Sequence, residues 1–255
     1  MMLARAVCFS ILFYGWTTLL GILVLPLLIG PPRLLLAYSR FWIRVSLWFL
    51  RVTVGLTHEV RGREHIPDGP AVFAVKHQSA WDTLAINLIV RDTAVVLKRE
   101  LTWIPVFGWC LLRARQIAID RQGGMSALRA MVTEARARLA EGRPLVIFPE
   151  GTRVAPGTRR PYHAGVAALH AALGDVPVVP VALNSGLFWP RRSLKLRPGV
   201  ITVEFLPPIP PNLPRRAFSG ALEQAIEGAT DRLVADAVFE YDLPSPALAV
   251  DNIVE

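Results

Sequence analysis

Apolar and polar positions are arranged in three different ways along this chain. Residues 6–30 carry no charged side chain. At ~1.5 Å per helical residue, such a run is long enough to cross the ~30 Å core of a bilayer. Arg5 precedes it and Pro31-Pro32-Arg33 end it. Pro26, Gly15, Gly21 and Gly30 interrupt its regularity, so a bent helix dipping into one leaflet stands beside a straight span. The run is too long for the core of a secretion signal and lacks a good small-residue cleavage site, Gly30 being the nearest approach to one.

Residues 34–54 form a second helical stretch with two faces. At 100° per residue, Arg33, Arg40, Arg44 and Arg51 fall within roughly a 40° arc. Phe41, Trp42, Val45, Trp48, Phe49 and Val52 cover much of the remainder. Guanidinium groups at phosphate level beside rings in the acyl boundary describe an interfacial helix. The plainer alternative is a helix packed on the rest of the protein with a solvated arginine edge.

From residue 56 onward, short apolar runs alternate with helical periodicity. Strands are expected at 57–61, 71–75, 93–97, 116–119, 144–148, 178–182 and 200–205. Helices are expected at 81–90, 126–141 and 218–239, with a short apolar one near the membrane within 103–112. Leu128, Met131, Val132, Ala135 and Leu139 recur at helical spacing, and Gly142 suits a C-terminal cap. Arg129, Arg136 and Arg138 then form a solvated outer face. Val176-Pro177-Val178-Val179-Pro180-Val181 is a strand bracketed by prolines, whose flanks should be rigid and unpaired. This alternation with short links gives an α/β fold, a largely parallel central sheet flanked by helices. An N-terminal membrane-associated two-helix element precedes it. The expected units are a membrane-docking helix pair (1–54), a main domain (55–240) and a loose C-terminal tail (241–255). A chain starting near residue 54 is expected to be the more soluble form.

Composition sharpens the membrane reading. Hydrophobic residues make up 53% of the 255 positions, and mean hydropathy is +0.40. The formal net charge is +8, which calls for an anionic partner surface. The apolar N-terminus and the lack of interleaved surface aromatics count against nucleic acid. Cys8 and Cys110 lie far apart in apolar contexts, so a structural disulfide is not expected. More cationic residues follow the first segment than precede it, so a spanning segment would keep residues 55–255 on the cytoplasmic side.

The candidate chemistry starts at Val75-Lys76-His77-Gln78-Ser79-Ala80-Trp81-Asp82. Residues five apart on one helix point roughly 140° away from each other. His77 and Asp82 therefore meet only if the histidine sits in the turn after a strand and the aspartate opens the next helix. There the carboxylate is favoured by the helix dipole and fixes the imidazole tautomer. A neutral histidine held this way is a general base for a hydroxyl. The plainer alternative makes His77 a helix cap and Asp82 a surface acid. Ser79 lacks the G-x-S-x-G context of a nucleophile. Three further stretches follow strands. In Phe148-Pro149-Glu150-Gly151-Thr152-Arg153, Gly151 lets backbone approach a ligand, Thr152 offers a hydroxyl and Arg153 can clamp a phosphate. Ile119-Asp120-Arg121 places a second arginine at a strand's carboxyl end, where ligands of open α/β sheets gather. The proline-bracketed strand is the third.

In this order, the stretches resemble the glycerolipid acyltransferase family, most closely the bacterial 1-acylglycerol-3-phosphate acyltransferases. That family's H-x-x-x-x-D block is matched by His77 and Asp82, its I-D-R block by Ile119 to Arg121 and its F-P-E-G-T-R block by Phe148 to Arg153. Its V-P-V-x-P-V strand is matched by Val176 to Val181. Two positions depart. Arg115 stands where glycine is usual, and Tyr162-His163-Ala164-Gly165 where lysine often precedes a glycine. The resemblance implies acyl transfer from acyl-CoA or acyl carrier protein to the sn-2 hydroxyl of a lysophospholipid, making phosphatidic acid. His77 and Asp82 would be catalytic. Arg121, Glu150, Gly151, Thr152 and Arg153 would hold the glycerol phosphate. No metal or organic cofactor is implied, and the partners would be lysophospholipid, acyl donor and an anionic membrane surface. The place would be the cytoplasmic face of the inner membrane. A lyso-ornithine lipid acceptor and a non-catalytic lipid-binding protein on the same fold are the alternatives.

Overall fold

Pro26 and the Gly30-Pro31-Pro32 stretch divide the N-terminal apolar sequence into two helices. The computed structural model describes residues 2–246. In it α1 runs Met2–Leu23, a 3-10 turn covers Leu25–Leu28, and α2 runs Pro32–Val54. α1 is long and apolar enough to cross a membrane. The two helices are tied by side chains. Trp42 Nε1 donates to Thr17 Oγ1 at 3.0 Å, and the Tyr38 hydroxyl donates to the Leu20 carbonyl at 2.8 Å. Of the arginine stripe, Arg33, Arg44 and Arg51 are exposed, while Arg40 turns inward to pair with Asp92.

The seven apolar runs all become strands: β1 (Leu56–Arg61), β2 (Val72–Val75), β3 (Ala94–Lys98), β4 (Ile117–Ile119), β5 (Leu145–Ile147), β6 (Val178–Leu183) and β7 (Gly199–Phe205). They form one sheet in the order β1-β7-β6-β2-β5-β3-β4. Among the described residues, only β6 and β7 pair antiparallel, apart from a single antiparallel bridge from Val178 to Ile209. β2 lies at the centre, with Phe73 opposite Val146 on one side and Val179 on the other. All four of its residues are buried, as a parallel strand covered on both faces requires. The helices are α3 (Ala80–Ile89), α4 (Phe107–Arg113), α5 (Gly124–Ala140), α6 (Ala164–Leu173), α7 (Ser185–Phe188) and α8 (Arg215–Glu240).

The sheet separates two cores. Val72 and Ala74 pack with Met131, Ala135, Leu169, Phe218 and Leu222 of α5, α6 and α8. Phe73 and Val75 pack with Trp81, Phe205, Leu50, Val54, Ala6 and Phe9. The N-terminal helix pair therefore contributes to the central core, and a chain starting near residue 54 would leave that core open. Phe9, Leu50 and Val54 are each at most 3% exposed, and burying such a side chain contributes ~1.5–3 kcal/mol. A chain lacking residues 1–54 should therefore elute as aggregate on size-exclusion chromatography. A monodisperse, cooperatively melting product would show that the second core closes without these helices.

Four other expectations change. Arg138 is not on a solvated face: it is 6% exposed, with its Nε donating to the Arg115 carbonyl and its guanidinium pairing with Glu134 and Glu141. The flanks of the proline-bracketed strand are not unpaired. The Pro177 carbonyl accepts from Val72 N–H at 2.9 Å, and the Pro180 carbonyl accepts from Leu206 N–H at 3.0 Å. Proline removes only a donor, and these carbonyls still serve the neighbouring strands. α6 and α7 were not anticipated; both are short, apolar and largely buried. The expected tail at 241–255 begins as packed chain, with Tyr241 edge-on to Phe188 at 5.4 Å and Leu243 against the core. Residues 247–255 lie outside the described residues.

Candidate active site

β2 ends at Val75, and the four residues after it make the turn that carries the site. Ser79 caps α3: its hydroxyl accepts from Trp81 N–H at 3.2 Å, and Asp82 returns a bond to the Ser79 N–H at 2.8 Å. This reciprocal capping box fixes where Asp82 points. Ser79 is thus a buried cap, with its hydroxyl engaged in the turn. Asp82 Oδ2 also accepts from Gln78 N–H at 2.7 Å and meets His77 Nδ1 at 3.0 Å. Its other oxygen accepts from the Ser185 hydroxyl at the start of α7. An ionised carboxylate can only accept. The His77 proton therefore sits on Nδ1, and the Nε2 lone pair is left for other work. Asp82 is 1% exposed, which rules out a surface acid.

His77 is fixed by several contacts. Its ring stacks on Phe148 with centroids 4.2 Å apart. Its N–H donates to Glu150 Oε2 at 3.0 Å, and its carbonyl accepts from Val154 N–H at 2.8 Å. The turn after β2 is thereby bound to the loop after β5.

His77 faces a cavity of about 1140 Å³. Arg121, Gly151, Thr152 and Arg153 line the same space, so three stretches far apart in sequence converge at the carboxyl ends of β2, β4 and β5. Gly151 has φ +65°, and a Cβ there would lie 2.6 Å from His163 Cδ2 and 3.4 Å from Arg121 Cζ. The positive φ and the close approach of His163 both favour glycine here. Asp120 pairs with Arg99 at 3.0 Å and accepts from Gln122 N–H, which sets the turn presenting Arg121. Burial lowers the pKa of both Arg121 and Arg153, and Arg191 adds to the effect at Arg153. A guanidinium stays charged despite such a shift. Much of the remaining wall is apolar, including Leu20, Val24, Leu35 and Ile43 of the N-terminal helices, with polar groups such as Asn87, Lys98 and Gln116 among them.

Glu150 departs from its expected place. Its carboxylate points away from the cavity, into a buried pair with Lys76 at 2.7 Å. Burial pushes its pKa up, against the pull of Lys76 and the His77 N–H, while Glu227 adds to the rise. Glu150 therefore holds the turn rather than an acceptor. Arg115 also lies elsewhere, paired with Glu141 at 2.7 Å. Its φ of +54° explains why glycine suits that position. His163 and Gly165, from the other departing stretch, do line the cavity.

Sequence reasoning missed Ser185, Lys76 and Glu227. Ser185 sits beyond the apolar strand that drew attention. Lys76 and Glu227 did leave a signal. One is a charge that continues a buried strand, and the other is an acid within the apolar Leu222, Ile226, Ala229 and Leu233 stripe of α8.

Comparison with known proteins bears on what this cavity serves. A family model described as Acyltransferase matches residues 57–184. A 1-acyl-sn-glycerol-3-phosphate acyltransferase from Pseudomonas aeruginosa is 40% identical over 64% of this chain. The match spans 63% of that relative's length. The human 1-acyl-sn-glycerol-3-phosphate acyltransferase alpha is 31% identical over 79% of the chain and 72% of its own length. The crystal structure of the 1-acyl-sn-glycerophosphate (LPA) acyltransferase PlsC from Thermotoga maritima has the same fold, with a TM-score of 0.73. That similarity covers 91% of this chain and 98% of the other at 21% identity.

Proposed function

The chain belongs to the acyltransferase family, and we propose that it acylates the sn-2 hydroxyl of 1-acyl-glycerol-3-phosphate to give phosphatidic acid. The observation that carries this reading is His77, with its Nδ1 proton held by Asp82 and its ring facing a cavity that is cationic near it and apolar beyond. The acceptor has the same polarity, a phosphate at one end and an acyl chain at the other. Nε2 takes the proton of the hydroxyl as its oxygen attacks the donor's thioester carbonyl. The C–S bond then breaks, and the thiolate leaves as such or takes the proton from the imidazolium. General-base assistance of this kind is worth ~100- to 10,000-fold, and fixing two amphiphiles side by side supplies much of the remainder.

Arg121 and Arg153 hold the phosphate in this reading, with Gly151 and Thr152 giving close main-chain approach and a hydroxyl. Arg153→Lys keeps the charge and loses the bidentate fork. Its expected effect is a roughly tenfold rise in acceptor KM, the scale of one hydrogen bond to a charged group, with donor KM little changed. Steady-state kinetics with each substrate varied in turn measures this. An unchanged acceptor KM would place Arg153 outside the site.

The donor is acyl-CoA or acyl carrier protein. Residues 1–54 dock the protein on an anionic membrane surface, residues 55–240 carry the reaction, and the site faces the cytoplasm at the inner membrane. The membrane assignments rest on the apolar α1, on the exposed Arg33, Arg44 and Arg51, and on the charge bias of the segments after α1. A second acceptor class, lyso-ornithine lipid, is raised by His163, which lines the cavity where the family often carries lysine. Purified protein given labelled acyl-CoA and a panel of lyso-lipids separates these readings. The expected outcome is preferential acylation of lysophosphatidic acid. Preference for the ornithine lipid would reassign the acceptor, and acylation of none would favour a lipid-binding protein.

A further inference from the structure

Beneath the catalytic turn lies a charged cluster that the proposed reaction does not itself use. Lys76, Glu150 and Glu227 are 1%, 2% and 3% exposed. Lys76 Nζ donates to Glu150 Oε1 at 2.7 Å and to the two oxygens of Glu227 at 2.8 and 2.9 Å. The Tyr162 hydroxyl donates to Glu227 Oε1 at 2.8 Å. Glu150 uses its remaining oxygen to accept the His77 N–H. An unbroken path of polar contacts therefore runs from Tyr162 through Glu227, Lys76 and Glu150 to the main chain of His77. Glu227 belongs to α8, well beyond the residues matched by the family model.

Buried ion pairs are poor stabilisers, because desolvation offsets much of their attraction. Apolar side chains of similar size would fill this space at least as well. What the charges supply is direction. Lys76 precedes His77 in the chain, so anchoring its ammonium fixes the exit of β2. With Glu227 absent, the ammonium keeps a single carboxylate partner in a dry interior. It must then draw on Glu150, whose second oxygen holds the His77 N–H. A change at Glu227 is therefore felt at the histidine's main chain.

We infer that Glu227 is a positioning residue for His77, acting through Lys76 and Glu150, so that α8 forms part of the active-site support. This inference rests on the reading of His77 as the general base. A base displaced by about 1 Å can cost up to ~100-fold in rate. Substrate contacts are untouched, so kcat should fall while both KM values hold.

The test uses the full chain in lipid vesicles, with lysophosphatidic acid and acyl-CoA as probes. Glu227→Leu should lower kcat about tenfold or more, a fraction of the full misplacement cost, with neither KM moving beyond about twofold. Glu227→Gln keeps an acceptor oxygen for Lys76 and Tyr162 and should recover most of the lost turnover. Amide hydrogen exchange in the peptide containing His77 should quicken in the leucine variant. A role in stability alone would lower the melting temperature and leave kcat per folded molecule unchanged. If the leucine variant does not fold, Tyr162→Phe decides the matter through the same split of kcat from KM. Normal kcat in a folded Glu227→Leu, or in Tyr162→Phe in that second case, would overturn the inference. His77→Ala is assayed alongside. If it is active, the base reading itself fails. If it is inactive while the Glu227 variants turn over normally, only the positioning role of Glu227 fails.

Discussion

His77→Ala should lower kcat by about a hundredfold or more, the lower end of what loss of a general base costs. Asp82→Asn should also be severe. Asparagine at 82 can present an N–H2 group to the turn or to the imidazole, where the carboxylate accepts from Gln78 N–H, Ser79 N–H and His77. The tautomer that leaves Nε2 free is then no longer enforced. The two side chains act as one unit, so their effects should not add. The double variant should be little worse than His77→Ala alone, measured as a double-mutant cycle on initial rates. Thermal melts accompany it. His77→Ala should melt near the parent, because the histidine projects into the cavity and its removal opens no sealed void in either core. Additive losses would mean that Asp82 serves something besides the imidazole.

Lys76→Met should strongly destabilise the protein. It leaves Glu150 and Glu227 buried without their cation. Breaking a buried pair by removing one partner costs about 3–5 kcal/mol. For a chain of this size, each kcal/mol moves the melting temperature by about 2–4 °C, so a fall of roughly 6 °C or more is expected. The triple variant Lys76→Met, Glu150→Gln, Glu227→Gln removes every charge in the cluster and should regain much of that loss. Differential scanning fluorimetry in one detergent compares the three proteins. A triple variant no more stable than Lys76→Met would mean that the lysine contributes through packing rather than charge.

The strand positions and the convergence of His77, Asp82, Arg121 and Arg153 were legible because they rest on local rules. Four- to six-residue apolar runs bounded by Gly and Pro make buried strands. A histidine just after one strand and an acid in the first helical turn meet by geometry alone. The misreadings share a different origin. Arg138 lies on the polar side of α5 by periodicity, yet it is sealed in by Arg115, Glu134 and Glu141, partners supplied by its own helix and by its surroundings. Glu150 sits in a motif that faces the cavity, but its own rotamer turns it to Lys76, and that pairing is completed by Glu227 from α8. The helix pair reads as an appendage because its outward face is so apolar, while the inward packing of Phe9, Leu50 and Val54 becomes visible only once the sheet is in place. For Glu150 and the helix pair the deciding partner lies outside the local pattern, and for Arg138 the Arg115 carbonyl completes what its own helix begins; single-sequence periodicity carries no record of these distant contacts.

The central claim is that this protein moves an acyl group onto the sn-2 hydroxyl of lysophosphatidic acid by way of His77. The most direct test is mass spectrometry of the lipids formed in vesicles containing 1-acyl-glycerol-3-phosphate and isotopically labelled acyl-CoA. The parent protein and His77→Ala are compared at equal folded concentration. The expected result is phosphatidic acid carrying the label at sn-2 from the parent, and at most about a hundredth of that initial rate from the variant. Labelled phosphatidic acid formed equally fast by a folded His77→Ala protein would contradict the account.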